Sequence, residues 1–354
     1  MSSFLSPRLK GLKEYVPGEQ PDDFSKFIKL NTNESPFPPS PLVLERLNGD
    51  AVSKLNLYPP IEGKSLARKL GELYGLSGEN VILTNGSDET LSYCFFAFCD
   101  SDKGMAFPDI SYGFYRVFAD LYGIPFRAVP LDGEFRIVTA DYYNSDMNIV
   151  IANPNAPTGI CLSLSEVEKI VSTNPQNVVI IDEAYIDFGG ESAAPLVKKY
   201  GNLIVIQTYS KSRSLAGGRL GFALACPELI ADLNKIKFSQ NPYNVNRLTF
   251  IAGEAALDDP EYFESCRSAI ISERERLNNA LVSLGFTVLP SKANFVFARH
   301  NTFSGGELYR RLKEKGILVR HFNAPLIDEY LRITVGLPKQ TDALIANLKI
   351  ILGM

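Results

Sequence analysis

Histidine is nearly missing from this chain of 354 residues: only His300 and His321 occur, 21 positions apart. So few imidazoles leave a His-rich metal site or a Ser-His-Asp relay poorly supplied, and both histidines are read as structural. The five cysteines (Cys94, Cys99, Cys161, Cys226 and Cys266) are odd in number, scattered, and form no CxxC pair. That usage suits buried thiols in a reducing cytoplasm. Long apolar runs are also missing. The longest, YCFFAFC from Tyr93 to Cys99, is far too short to span a bilayer. The opening MSSFLSPRLKGLKEY lacks the apolar core of a signal peptide. No basic run of five occurs and the net charge is −4, so there is no electrostatic footprint for nucleic acid or an anionic membrane. These absences predict a cytoplasmic protein with no nucleic-acid, membrane or metal partner.

What is present is an ordinary globular balance, 45% hydrophobic and 21% charged, at a length for one large domain or two modest ones. The first 30 residues read as an arm. NESPFPPSP (33–41) is too proline-dense for helix or central strand; it reads as a linker or as an ordered segment beside a site. From about residue 61 short apolar strands alternate with helices. The strands are VILTNG, MAFP, FRAVPL, MNIVIANP, NVVIIDEA, NLIVIQTYS and GFALA. The helices include IEGKSLARKLGELYGL, SDETLSYCFFAF and SLSEVEKIVS, the last with Ser163 and Glu166 placed as a capping box. This alternation predicts an α/β fold with a mainly parallel sheet covered on both faces, and binding sites at the carboxyl ends of its strands. Past residue 240 a long helical stretch, PEYFESCRSAIISERERLNNALVSLG, leads into a smaller α/β unit of ANFVFAR, GELYRRLKEKG, ILVRHF, LRITVG and DALIANLKIILG. The expected division is an arm at 1–30, a large domain at 31–240 and a small domain at 241–354.

Four strand ends carry unusual chemistry. TNGSDE (84–89) leads into a helix and offers backbone N–H groups and a hydroxyl to an anion, although a plain helix cap reads the same way. In IIDEAY (180–185), Asp182 ends an apolar strand, where a carboxylate is costly unless paired, whether with a metal or with a cationic ring nitrogen. IANPNAPTG (151–159) has two proline steps close together and reads as a rigid turn with room for cis bonds. In TYSKSRSLAGGRLGF (208–222), Ser210, Ser212 and Arg219 can hold a phosphate beside Lys211, whose proton affinity would fall as it is desolvated. An anion-binding helix start, a carboxylate for a pyridinium and a lysine beside a phosphate cup make up the protein's share of a pyridoxal phosphate site. Dinucleotide and P-loop alternatives fail: GxGxxG is absent after the early strands, and EGKS (62–65) would need glycine where Tyr58 stands.

The chain resembles the fold-type I pyridoxal-phosphate-dependent aminotransferases, most closely their histidinol-phosphate branch. The segments that carry the likeness are EYVPG, LNTNESPFPPSP, LYPP, NGSDE, PDISYGFY, NPNAPTG, DEAY, YSKSRSLAGGRLG, NPYNVN, GILVR and LRITVG, in family order. The resemblance implies a large domain with a seven-stranded sheet, a small domain and a homodimer. It implies that Lys211 forms the Schiff base, that Asp182 pairs with the pyridine nitrogen, and that Tyr185 bonds the ring's phenolic oxygen. Gly86, Ser87, Asp88, Ser210 and Arg219 would hold the cofactor, with Ser87 nearest its phosphate; Tyr112 would stack on its ring, and Tyr58 would reach the neighbouring subunit's site. Arg332, helped by Arg320 and Tyr15, would grip the substrate's phosphate. The implied reaction moves an amino group from L-glutamate to imidazole-acetol phosphate in histidine biosynthesis. Threonine-phosphate decarboxylases and aromatic amino-acid aminotransferases share these motifs and are the alternatives. One departure stands out: the asparagine usual before Pro-Thr-Gly is Ala156, and Asn155, one residue earlier, is expected to take its role.

Overall fold

The computed structural model describes residues 4–354. Its first strand is Ile28–Lys29 (β1). Seven further strands form the central sheet: Val81–Thr84 (β2), Met105–Pro108 (β3), Phe126–Val129 (β4), Asn148–Ala152 (β5), Val179–Asp182 (β6), Leu203–Thr208 (β7) and Gly221–Ala225 (β8). Then come Phe286–Val288 (β9), Phe295–His300 (β10), Ile317–Leu318 (β11), Arg320–His321 (β12) and Tyr330–Thr334 (β13). The large sheet runs β2-β8-β7-β6-β5-β3-β4 and is parallel except at β8, which is antiparallel to both its neighbours.

Every residue of β5, β6 and β7 is buried, which is why these strands read as unbroken apolar runs. The pleat divides them between two cores. Ile149, Ile151, Ile181 and Val205 face the helices Lys64–Leu73, Leu164–Ser172 and Arg247–Leu257. Val150, Ile180, Ile204 and Ile206 face Ser87–Phe98, Phe114–Tyr122 and Pro227–Gln240. The capping box of Ser163 and Glu166 forms as read.

The smaller sheet is antiparallel, in the order β12-β13-β10-β9. A third core lies against it, built from Leu277, Leu281, Leu308, Leu312, Leu344 and Leu348 with Val296 and Ile333. The stretch ILVRHF, read as one strand, is two. β11 pairs in parallel with β1, while β12 pairs with β13. Two packing details bear on the domain division. Phe250, Ala252 and Ala255 belong to the core of the large sheet although they follow residue 240. Leu30, at the end of the arm, belongs to the core of the smaller unit. Among the described residues no helix is long and apolar enough to cross a membrane.

Candidate active site

A cavity of about 410 Å³ opens where β5, β6 and β7 end, with Ala152, Asp182 and Thr208 in its wall. That is within the usual range for small-molecule sites, and the carboxyl ends of parallel strands are their usual place. The start of the helix Ser87–Phe98 lines one side with Ser87 and Asp88. The loop after β7 brings Ser210, Lys211 and Arg219; Tyr112 and Tyr185 complete that part. From the smaller unit come Arg320, Phe322 and Arg332, and from the arm comes Tyr15. These residues span more than three hundred positions of sequence and meet in one space.

The helix start is shaped for an anion. Its N-cap is Gly86, so no side chain caps the first N–H groups. A β-carbon on Gly86 would stand 2.6 Å from the Arg219 guanidinium, and one on Gly221 would stand 2.4 Å from Ser87 N. Glycine at both positions lets the arginine and the helix start close on the same spot. Arg219 itself sits at φ +51, where non-glycine residues are uncommon. Its Nη2 donates to Asp88 at 3.3 Å, and Asp88 also accepts from the Tyr112 hydroxyl at 2.7 Å.

Two ionisable groups are displaced from their ordinary behaviour. Burial, helped by the positive charge of Arg332, pushes the Lys211 ammonium down to about 8. Its Nζ donates to Thr32 O at 3.3 Å. Asp182 is buried, and desolvation raises its carboxyl to about 6 against the opposing bonds it accepts. Those bonds come from the Tyr115 hydroxyl at 2.9 Å and Ala184 N at 3.3 Å. Among the described residues no lysine or arginine pairs with it.

At the far end Arg332 stands between the rings of Phe295 and Phe322, at 5.4 and 5.5 Å. Its Nη2 donates to Asn31 O, while its Nε is buried without a partner. Arg320 lies over Phe322 and donates to Val16 O at 2.9 Å and Pro17 O at 3.0 Å. Those bonds hold the arm so that Tyr15 stacks on Phe114 at 4.2 Å, next to Tyr112.

The sequence of residues 25–348 matches the model of the family described as aminotransferase class I and II. The chain is 46% identical over 349 residues to the histidinol-phosphate aminotransferase of Clostridium acetobutylicum, covering 99% of each. It is 49% identical over 356 residues to that of Aromatoleum aromaticum, covering 99% of this chain and 100% of the other. The chain belongs to the histidinol-phosphate aminotransferase family, within class I and II. The fold agrees: the crystal structure of the Sinorhizobium meliloti histidinol-phosphate aminotransferase in complex with pyridoxal-5'-phosphate superposes with a TM-score of 0.89 at 22% identity, covering 100% of this chain and 98% of that one.

In this aminotransferase four of the residues expected at the site do not line the cavity. Ser212 is one, and its hydroxyl donates to Asp187 instead. Gly86 acts by leaving room for Arg219, as above. Tyr58 is 76% exposed, and its ring stacks on Tyr243 at 4.4 Å. Asn155 lies outside the cavity wall, and both ends of its amide are used elsewhere: Oδ1 accepts from Ser111 at 2.7 Å, and Nδ2 donates to Ile110 O at 3.0 Å and Thr158 at 3.1 Å. Ala156 faces the cavity in its stead and packs beside Tyr185 and Phe295. The two proline bonds of this turn, 153–154 and 156–157, are both cis. Sequence reasoning missed Tyr115, which holds Asp182; its signal was the apolar spacing of Tyr115, Phe118 and Ala119 on the buried face of their helix. It also gave no role to Asn31, Thr32 and Asn33, although they lie in a segment that carries the resemblance.

Proposed function

We propose that this aminotransferase moves an amino group between L-glutamate and imidazole-acetol phosphate, giving L-histidinol phosphate and 2-oxoglutarate, with pyridoxal 5'-phosphate as its cofactor. The observation that carries the reading is the pairing, in one cavity, of a lysine with a depressed proton affinity and a buried carboxylate that has no cation. The cofactor fits what the cavity leaves open. Asp182 would hold its ring nitrogen, the uncapped helix start with Ser87, Ser210 and Arg219 would hold its phosphate, and Lys211 would meet its aldehyde. When bound, it captures the amino group and draws off the electrons released at the α-carbon.

The chain's own residues do the rest. Lys211 Nζ, held near neutral pH, exists in part as the free amine, so it can act as nucleophile and then take the proton from the substrate's α-carbon. Asp182, itself buried, would keep a proton on the ring nitrogen by charge. Tyr185 would present its hydroxyl to the ring oxygen, and Tyr112 would cover the ring face. Arg332, with a spare buried donor, and Arg320 bind the substrate's phosphate; a guanidinium takes a carboxylate equally well, so the same pair serves glutamate.

The test compares L-histidinol phosphate with L-histidinol. Charge-assisted bonds to the phosphate are expected to favour the phosphorylated amine roughly 10³-fold in kcat/KM. Arg332→Ala should remove most of that preference by acting on the phosphorylated substrate alone. Equal losses on both substrates would take the phosphate away from Arg332.

We further propose that the enzyme works as a homodimer in the cytoplasm, with Tyr58 completing the partner's cofactor site. In support, Leu55, Leu57 and Tyr58 are each more than half exposed and lie together beside Tyr243. Light scattering should give about twice the 39.1 kDa of one chain, and a monomer at assay concentration would sink the proposal.

A further inference from the structure

The segment LNTNE (30–34), whose Asn33 begins the proline-dense stretch left open as linker or site, touches three site groups through three consecutive residues. Asn31 O accepts from Arg332 Nη2 at 3.0 Å, and Thr32 O accepts from Lys211 Nζ at 3.3 Å. Asn33 Nδ2 donates to the Tyr185 hydroxyl at 3.0 Å. Asn33 is 1% exposed and sits at φ +55, a left-handed conformation that asparagine tolerates better than most residues. It is held from two directions. Thr334 Oγ1 accepts from Asn33 N and donates to Asn33 Oδ1, each at 3.0 Å, and Asn294 Nδ2 donates to Asn33 O at 2.9 Å.

That arrangement fixes a direction. Thr334 exchanges both of its bonds with the backbone N–H and the amide oxygen, so the amide's NH₂ end is the one turned to Tyr185. A phenol oxygen that accepts this bond keeps its own proton to give. Among the described residues nothing accepts that proton, and Tyr185 lines the cavity. Beside it stands Ala156, which has no polar group to offer where the family resemblance expects an asparagine.

We propose that Asn33 is a positioning residue: by donating to Tyr185 it commits the phenol to give its proton into the cavity, a task that Ala156 cannot share. The inference rests on the reading of Tyr185 as the donor to the cofactor's ring oxygen. It also gives the segment just after the arm a part in the chemistry, since the same clamp ties Tyr185 to β13 through Thr334.

The test follows the visible absorbance of the cofactor-bound enzyme through a pH titration, a property of the resting enzyme rather than of turnover. A proton donated to the ring oxygen spreads its negative charge and lowers the proton affinity of the nearby Schiff-base nitrogen. Tyr185→Phe should therefore raise the titration midpoint by roughly one pH unit. Asn33→Gly, which accepts a positive φ, should raise it in the same direction. Thr334→Val, which unpins the amide without touching Tyr185, should do so by less. Added to Tyr185→Phe, Asn33→Gly should shift nothing further, because it acts through that hydroxyl. A wild-type midpoint in Asn33→Gly beside a shifted Tyr185→Phe would overturn the role of Asn33 alone. A full second shift in the double variant would do the same, showing that Asn33 acts without the tyrosine. If Tyr185→Phe itself keeps the wild-type midpoint, the reading of Tyr185 fails and the inference with it.

Discussion

Lys211→Ala abolishes amino transfer: turnover is expected to fall by ~10⁴-fold or more, because one side chain supplies both the nucleophile and the base. Arginine should not rescue it, since a guanidinium does not give up its proton. The physical basis is the surroundings of Nζ. Burial and Arg332 hold its charge down to about 8, while Glu34 and Asp88 pull the other way. The same surroundings make Lys211 a burden on folding. Its folded-state proton affinity lies below the ordinary 10.5, so the cost is fully present below about pH 8 and fades as pH rises to 10.5. Lys211→Met should therefore raise the melting temperature of cofactor-free protein at pH 7 and lose that advantage above about pH 10. Retention of even a hundredth of wild-type turnover by the alanine variant would remove Lys211 from the chemistry.

Asp182→Asn is the second large effect. The change keeps shape and removes charge, so the ring nitrogen loses the partner that keeps it protonated, and turnover should drop by about 10³-fold. Folding should respond in the opposite sense. The carboxyl binds its proton more tightly folded, at about 6, than in its ordinary state at 3.8. Its contribution is intact at pH below 3.8 and is lost as pH rises through 6, so at pH 7.5 the wild type carries the whole cost. Cofactor-free Asp182→Asn is expected to be more stable there by roughly 1–3 kcal/mol, with the difference vanishing near pH 4. Urea unfolding at the two pH values reads this directly. A variant that is both active and no more stable would mean that Asp182 is not a desolvated carboxylate serving the ring nitrogen. A carboxylate and a lysine that both cost stability and both face one cavity are held there for function.

Much of this is legible in the sequence alone. The strands of the large sheet could be read because β5, β6 and β7 are buried on both faces, which forces continuous apolar runs. Their polar ends, at Asp182 and Ser210, stood out against those runs. Lys211 stands out by its place beside Ser210 and Arg219, Arg332 by a resemblance carried by motifs, and the cavity brings them together. What could not be read depends on contacts across the chain. Asn33 meets Thr334 across 301 positions and Tyr185 across 152, and no local pattern encodes either bond. Asn155 is a related case. Its identity invites a cofactor contact, but Ser111, Ile110 and Thr158 consume its amide, and only the folded turn shows that. The boundary at 240 followed a change of texture, whereas packing joins the helix Arg247–Leu257 to the large sheet.

The most direct test of the central claim is the absorbance spectrum of the purified, cofactor-bound enzyme before and after L-histidinol phosphate is added without an acceptor. The account predicts that the visible band of the bound cofactor disappears in one turnover, and that imidazole-acetol phosphate is released in equal amount. A band that ignores L-histidinol phosphate but changes with threonine phosphate, with release of carbon dioxide, would contradict it.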